Sequence, residues 1–239
     1  MPIDTIVKEI RSTLSAHANP TVAQKYARYF VEGYDAYGVN LNDLKTEIEA
    51  WLQGNRESLG LEGFLKIGDE LVYSGKYEEG MLAISLIKHF QPEFAPNTLQ
   101  RLGEWLDNGL CNWAHVDVFC GDVLSAFIEK KITSLDAFSN WRGAESKWKR
   151  RSVPVTLLSA IKADYSIKES LDFIEPMILD GEKVVQQGLG WFLREAWKKE
   201  PQPVETFLLK WKDQCGRLII QYATEKMDKG QKEIFKKSK

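Results

Sequence analysis

The residues of this sequence best suited to chemistry are a tryptophan and an aspartate four positions apart, Trp113 and Asp117. In an α-helix, residues four apart lie about 40° from each other around the axis, so both side chains share one face. Burying an unpaired carboxylate costs several kcal/mol, so Asp117 needs a partner or a position in a cleft. In the structural interpretation, the commoner one for such a stretch alone, Trp113 packs in the core and Asp117 caps a helix or pairs with Arg151.

Two later segments carry further candidates. Residues 147–151 read Lys-Trp-Lys-Arg-Arg, which is typical of a phosphate-binding stripe. The alternative is a solvated face with Trp148 in the core. The other segment contains Trp191, followed by Arg194 and Glu195, and for these last two a structural ion pair is favoured over a phosphate contact.

Composition bounds the class of protein. The chain has 239 residues, of which 44% are apolar and 28% charged, as in soluble globular proteins. No apolar run approaches the ~20 residues that span a bilayer, and the first residues have neither the basic start nor the apolar core of a signal sequence, so secretion is not expected. We therefore expect a cytoplasmic protein without a membrane partner. Three cysteines and three histidines without ligand spacing predict no disulfide framework and no metal site.

Charge is divided unevenly along the chain. Residues 1–119 hold 10 Lys/Arg and 17 Asp/Glu, a net charge of −7, whereas residues 120–239 hold 22 and 17, a net charge of +5. Such asymmetry is a hint of contact with a polyanion. Part of the excess lies after Lys226, where lysines can simply be solvated.

Apolar residues recur with helical spacing along nearly the whole chain, which predicts about a dozen helices in pairs. Pairs repeating at roughly 35–45 residues favour an all-α fold, a HEAT-like helical repeat solenoid with a concave basic face. An irregular helical bundle is the alternative. We expect one domain over residues 1–228 and a polar, lysine-rich tail over 229–239 that frays.

Pro154 is expected in the first turn of a helix over 153–161, and His115 on the surface. Four tryptophans are expected to pack in the core or between repeats: Trp51, Trp105, Trp197 and Trp211.

Four segments in the same order make the chain resemble the AlkD-like DNA glycosylases, which are HEAT-like repeat proteins that remove alkylated purines from DNA. They are Trp113-Ala114-His115-Val116-Asp117, Trp148-Lys149-Arg150-Arg151, the segment 190–195 (Gly-Trp-Phe-Leu-Arg-Glu) and Ala27-Arg28-Tyr29. The chain departs from the family pattern at Asn112, Ala114 and Gln187. Those positions bear on substrate range and DNA affinity more than on the core chemistry.

The resemblance implies a monofunctional glycosylase that needs no cofactor and acts as a monomer on duplex DNA with alkylated bases. Such an enzyme would be associated with the nucleoid when on DNA. It assigns catalysis to Asp117, Trp113 and Trp191, and DNA binding to Arg151, Arg150, Lys149 and Tyr29. For Tyr29, packing and a DNA-facing role are evenly balanced. It also implies action without flipping the base into a deep pocket, and the sequence shows no base-stacking motif. Two alternatives stay open: a catalytically silent relative that binds damaged or branched DNA, and a HEAT-like scaffold for a protein partner.

Overall fold

A computed structural model describes residues 2–163 and 165–237, and these residues form helices without any strand. They divide into two compact units, Met1–Val123 and Leu124–Lys239. The chain is an all-α helical repeat fold, as the sequence predicts. The concave basic face and the single domain over residues 1–228 stay predictions. No helix in the described ranges has the length and apolar character needed to cross a membrane.

The first unit is built on the packing of a long helix against its successor. Its α-helices are α1 (Ile3–Ala16), α2 (Pro20–Ala27), α3 (Lys45–Val72), α4 (Tyr77–Ile87), α5 (Pro96–Gly103), α6 (Trp105–Asn108) and α7 (Trp113–Phe119), with 3₁₀ turns at Leu41–Leu44 and Lys88–Glu93. Helix α3 packs against α4, and α4 in turn packs against α7. Gly60 breaks α3 with a φ of +55°, a conformation that side chains disfavour, so α3 is two helical segments.

The second unit is organised around a central helix. Its α-helices are α8 (Ser125–Glu129), α9 (Lys147–Lys162), α10 (Ile167–Ile174), α11 (Lys183–Lys199), α12 (Pro201–Trp211), α13 (Arg217–Ala223) and α14 (Lys229–Glu233), with 3₁₀ segments at Leu135–Gly143 and Glu175–Met177. A π-helical segment, Cys120–Leu124, precedes α8. Helix α11 packs against both α9 and α13 and buries Leu189, Phe192 and Leu193 completely.

Two local predictions are wrong. Helix α9 starts at Lys147, so Pro154 lies in its middle and not in its first turn. The hydroxyl of Ser146 caps that helix by accepting from the Lys149 amide, at 3.3 Å, which starts the helix before the apolar run. The end of the chain does not fray up to residue 237, because α14 forms and Phe235 is buried. Ser238 and Lys239 lie outside the described residues.

Candidate active site

Helix α7 carries Trp113 and Asp117 and is capped by Asn112. The Asn112 side-chain oxygen accepts a hydrogen bond from the His115 amide at 2.9 Å. Its side-chain nitrogen lies 2.8 Å from Nδ1 of His115. Asn112, one of the departures from the family pattern, therefore fixes the first turn of α7 and leaves Trp113 and Asp117 one turn apart on the same face. Asp117 itself is half-buried.

His115 is buried, which corrects the surface position expected from the sequence. Its Nε2 lies 2.8 Å from the carbonyl oxygen of Tyr77, which can only accept, so Nε2 carries the proton. The imidazole stacks on the Tyr77 ring with centroids 4.9 Å apart. A Cβ at Gly80 would stand 2.6 Å from the ring, so a glycine is needed there. Burial lowers the pKa of His115 to about 4, and this neutral ring fastens α7 to α4.

The pKa of His115 predicts acid sensitivity. The unfolded chain takes up a proton near pH 6.5, whereas the folded chain does not until about pH 4, so stability falls as pH drops through that window. The expected loss is about 1.4 kcal/mol per pH unit, or about 2 kcal/mol at pH 5. Urea unfolding of the protein and of His115→Gln between pH 7 and 5 measures it.

His89→Gln is the matched control. Burial also lowers the pKa of His89, so protonation of that histidine contributes to the loss of stability at low pH as well. Most of the pH dependence should survive in His89→Gln and disappear in His115→Gln. If the pH dependence of stability were unchanged in His115→Gln, the buried His115 would not be the cause of the acid sensitivity.

Trp113 does not lie in the core, because 44% of its surface is exposed. Its indole nitrogen donates to the carbonyl oxygen of Tyr29 at 3.2 Å, and its ring stacks on Phe30 with centroids 5.7 Å apart. Tyr29 is 52% exposed, and its hydroxyl accepts from the Arg28 guanidinium at 2.8 Å. The structure therefore brings Trp113 and Tyr29 together on the surface of the first unit, where Tyr29 is available to a partner.

An aromatic cavity of about 860 Å³ adjoins Trp113. Phe30 and Tyr34 stack in it with ring centroids 4.5 Å apart, and Tyr77 lies 5.0 Å from Tyr34. Burial, aided by the charge of Glu78, raises the pKa of both Tyr34 and Tyr77, so the walls are neutral. The expectation of no base-stacking motif missed this cavity. Part of the signal was available in one short stretch, where four of the lining aromatic residues are closely spaced: Tyr26, Tyr29, Phe30 and Tyr34.

Two buried glutamates at the start of α4 hold the segment that forms the cavity wall. The Glu78 carboxylate accepts from three successive backbone amides, those of Tyr37, Gly38 and Val39, at 2.9, 2.7 and 3.0 Å. The Glu79 carboxylate accepts from the Tyr37 hydroxyl at 2.8 Å and from Arg11 Nε at 3.0 Å. Charged acceptors make strong hydrogen bonds, so this segment is fixed although it has no regular secondary structure.

The basic candidates lie at the start of α9 in the second unit, and their surroundings differ. Arg151 is buried, and its Nη1 donates to the carbonyl oxygen of Val184 at 2.6 Å. Arg150 is bound to Asp180, with its Nε 2.6 Å from the carboxylate and both side chains largely shielded from solvent. Lys149 lies over the ring of Trp141, with 5.3 Å between Nζ and the centroid. The geometry favours a structural role for Arg150, which also binds two carbonyl oxygens.

Trp191 is half-buried on α11 and follows a glycine that sets helix packing. A Cβ at Gly190 would lie 2.5 Å from Cβ of Tyr222 and 2.9 Å from the carbonyl oxygen of Ile219, so the glycine lets α13 approach. Three residues on, Arg194 pairs with Glu195 at 2.9 Å, which confirms the predicted ion pair. Gly190 of the Gly-Trp motif therefore allows α11 to pack closely against α13, and this packing fixes the helix that carries Trp191.

Trp51 and Trp105 are buried as predicted, and Trp148 lies in the core. Trp197 donates to Glu205 at 2.9 Å. Across residues 2–163 and 165–237, no group of three or more His, Cys, Asp or Glu side chains is arranged to hold a metal ion.

Comparison with known proteins decides the family. Residues 10–227 match the family described as DNA alkylation repair enzyme. The chain belongs to this family. A solved structure of a predicted DNA alkylation repair enzyme from Enterococcus faecalis is 20% identical and has a TM-score of 0.74, covering 89% of this chain and 98% of that one. At that identity the likeness shows the fold. No protein of curated function matches the sequence.

Membership of the DNA alkylation repair family confirms the resemblance drawn from the sequence motifs. It implies a role in repairing alkylation damage and DNA as the partner. Of the seven candidate residues, Trp113, Asp117 and Tyr29 belong to the first unit, and the other four belong to the second.

Proposed function

We propose that the protein is a monofunctional DNA glycosylase that excises cationic alkylated purines, N3-methyladenine and N7-methylguanine, from duplex DNA. The observation that carries the proposal is the exposed indole of Trp113, held one helical turn from the Asp117 carboxylate in a chain of the DNA alkylation repair family. A core tryptophan would have favoured the structural interpretation.

The chemistry follows from the charge of the substrate. Alkylation at N3 or N7 makes the purine cationic, so when the bond from C1′ to the base nitrogen breaks, the electron pair stays on the base, which leaves neutral. The sugar becomes oxocarbenium-like. A carboxylate at Asp117 stabilises that charge and takes a proton from the water whose oxygen bonds to C1′. Indole faces attract cations by roughly 0.5–2 kcal/mol each, the role proposed for Trp113 and, on the resemblance, for Trp191.

The products follow from the same residues. No lysine nucleophile occurs in the Trp113–Asp117 or Gly190–Glu195 motifs, so no covalent intermediate with the sugar is proposed. The enzyme should leave an intact strand with an abasic site.

Base release from methylated duplex is the deciding experiment. Duplex DNA treated with a methylating agent is incubated with the purified protein, and the released bases are identified by chromatography and mass spectrometry. We expect N7-methylguanine and N3-methyladenine to appear in proportion to protein concentration. If the protein bound duplex DNA but released no base, it would be a catalytically silent DNA-binding relative. If it showed no binding and no release, the remaining alternative would be a scaffold for a protein partner.

Arg151 is proposed to contact a phosphate next to the lesion. Arg151→Gln should weaken duplex binding and lower the slope of log affinity against log salt by about 0.9, the value for one phosphate contact. Fluorescence anisotropy with an undamaged duplex at several salt concentrations measures the slope. Arg151 is buried, so a melting curve must first show that the variant is folded.

Arg194→Gln is the matched control, since it removes the same charge from an arginine whose guanidinium is held by Glu195 and Glu225. Its slope should equal that of the unaltered protein. An Arg151→Gln slope equal to that of the control would assign Arg151 to the structure.

A further inference from the structure

A second basic surface lies at the end of the chain, among residues that the family motifs do not include. A cleft of about 480 Å³ opens between the end of α12, helix α13 and the segment that follows α14. Five cationic side chains line it, and none of the described lining residues is acidic: Lys212, Arg217, Lys232, Lys236 and Lys237.

The cations of the cleft belong to a fixed structure and not to a fraying tail. Asp228 caps α14 by accepting from the Gln231 amide at 2.8 Å, and the Gln231 side chain accepts from the Asp228 amide at 2.9 Å. Beyond the helix, Phe235 is 2% exposed and lies at the cleft. The lysines on either side of this anchor are therefore held in place.

The charge of the cleft is largely uncompensated. Lys212 donates to the carbonyl oxygen of Ile234 at 3.1 Å, and a carbonyl leaves the ammonium charge intact. Lys232 does the same with the carbonyl oxygen of Glu225 at 3.2 Å. Lys236 pairs with Glu233, where both side chains are exposed and the pair is worth little.

Arg217 and Lys237 complete the positive wall. Within the part of the chain that the structure describes, neither makes an ion pair with an acidic side chain, and both are exposed. Like charges collected in a concave site repel one another and raise the local concentration of anions. Five cations exceed the charge of a single phosphate, so the cleft suits a polymer of phosphates.

We propose that this C-terminal cleft binds the phosphate backbone of DNA, as a contact surface additional to the one proposed for Arg151. The inference rests on DNA as the partner of the family and not on glycosylase activity. Backbone contacts carry no sequence information, so the cleft should add affinity for any duplex and hold the protein on undamaged DNA while it searches.

The test is a double variant, Arg217→Gln with Lys237→Gln, which removes two charges and breaks no ion pair among the described residues. Anisotropy with an undamaged 20-base-pair duplex should show binding up to about 60-fold weaker near 0.1 M salt, the effect of two lost counterion-releasing contacts. The salt slope should fall by about 1.8, the value for two phosphate contacts. The single-turnover rate of base release at saturating protein should not change, so this inference and the proposed function can fail separately.

Lys162→Gln with Lys168→Gln is the control, because it makes the same change in net charge at exposed lysines outside the cleft lining. It should keep the slope of the unaltered protein. Equal slopes for the two double variants would overturn the proposal. So would displacement of DNA by inorganic phosphate at constant ionic strength in the unaltered protein but not in the cleft variant, since that result marks a site for a free anion.

Discussion

Asp117→Asn is expected to slow the release of N7-methylguanine from duplex DNA by about 10²–10³-fold. Asparagine has nearly the same shape as aspartate but no negative charge, so it neither balances the positive sugar nor accepts the proton of the attacking water. Loss of one preorganised electrostatic group at a reacting centre typically has an effect of this size. Single-turnover base release at saturating protein measures the rate of the chemical step directly. Duplex binding should persist or tighten, because a carboxylate near phosphates repels them.

Asp122→Asn is the matched control for that experiment. Asp122 lies five residues further along, is 46% exposed and pairs with Lys88 at 3.4 Å. Its loss should leave the rate of base release unchanged, and a melting curve of each variant establishes that it is folded at the assay temperature. If Asp117→Asn released the base at the original rate, the carboxylate would have no part in catalysis and the proposed mechanism would fall.

Glu78→Gln is expected to lower the free energy of unfolding of the first unit by about 3 kcal/mol or more. The buried carboxylate accepts from the amides of Tyr37, Gly38 and Val39, and bonds to a charged acceptor contribute roughly 1.5–3 kcal/mol each. An amide side chain offers one oxygen to three donors and turns its own NH₂ group toward them. Urea unfolding monitored by tryptophan fluorescence reports the stability.

Hydrogen exchange distinguishes this cause from a general loss of packing. The amides of Tyr37, Gly38 and Val39 should exchange much faster in Glu78→Gln, well before the amides of α4 do. Glu57→Gln, at an exposed position on α3, should change neither stability nor exchange. A Glu78→Gln protein within about 0.5 kcal/mol of the original would show that the three amides find other acceptors.

Helical periodicity was sufficient to predict an all-α chain, because burial along one face repeats every three to four residues wherever a helix packs. Helix ends were harder to place, since they depend on caps. Ser146 starts α9 two turns before Pro154, and the capping box at Asp228 forms a helix in a segment whose composition suggested fraying. Composition reports average polarity, whereas a cap is one hydrogen bond at one residue.

In the candidate site, too, some features follow from local sequence and others do not. The spacing of Trp113 and Asp117 predicted a shared helix face, and the structure agrees. His115 was placed wrongly, because nothing local shows that a glycine 35 positions earlier makes room for its ring. The aromatic cavity was missed because only part of its wall lies in one stretch, around Phe30 and Tyr34, whereas Tyr77 and Trp113 complete it from distant positions. Periodicity describes neighbours along a helix and not partners across the fold.

The hydrogen bonds between Glu78 and the backbone near Tyr37 can form only late in the synthesis of the first unit. The carboxylate is 39–41 residues downstream of the three amides that it binds. At ~5–20 residues per second, the ribosome adds that carboxylate roughly 2–8 s after the amides have been made. Until then this stretch lacks its three bonds to Glu78, although the Tyr37 carbonyl oxygen can already accept from the Asn19 amide at 2.8 Å, so its final conformation is fixed after α4 begins to be made.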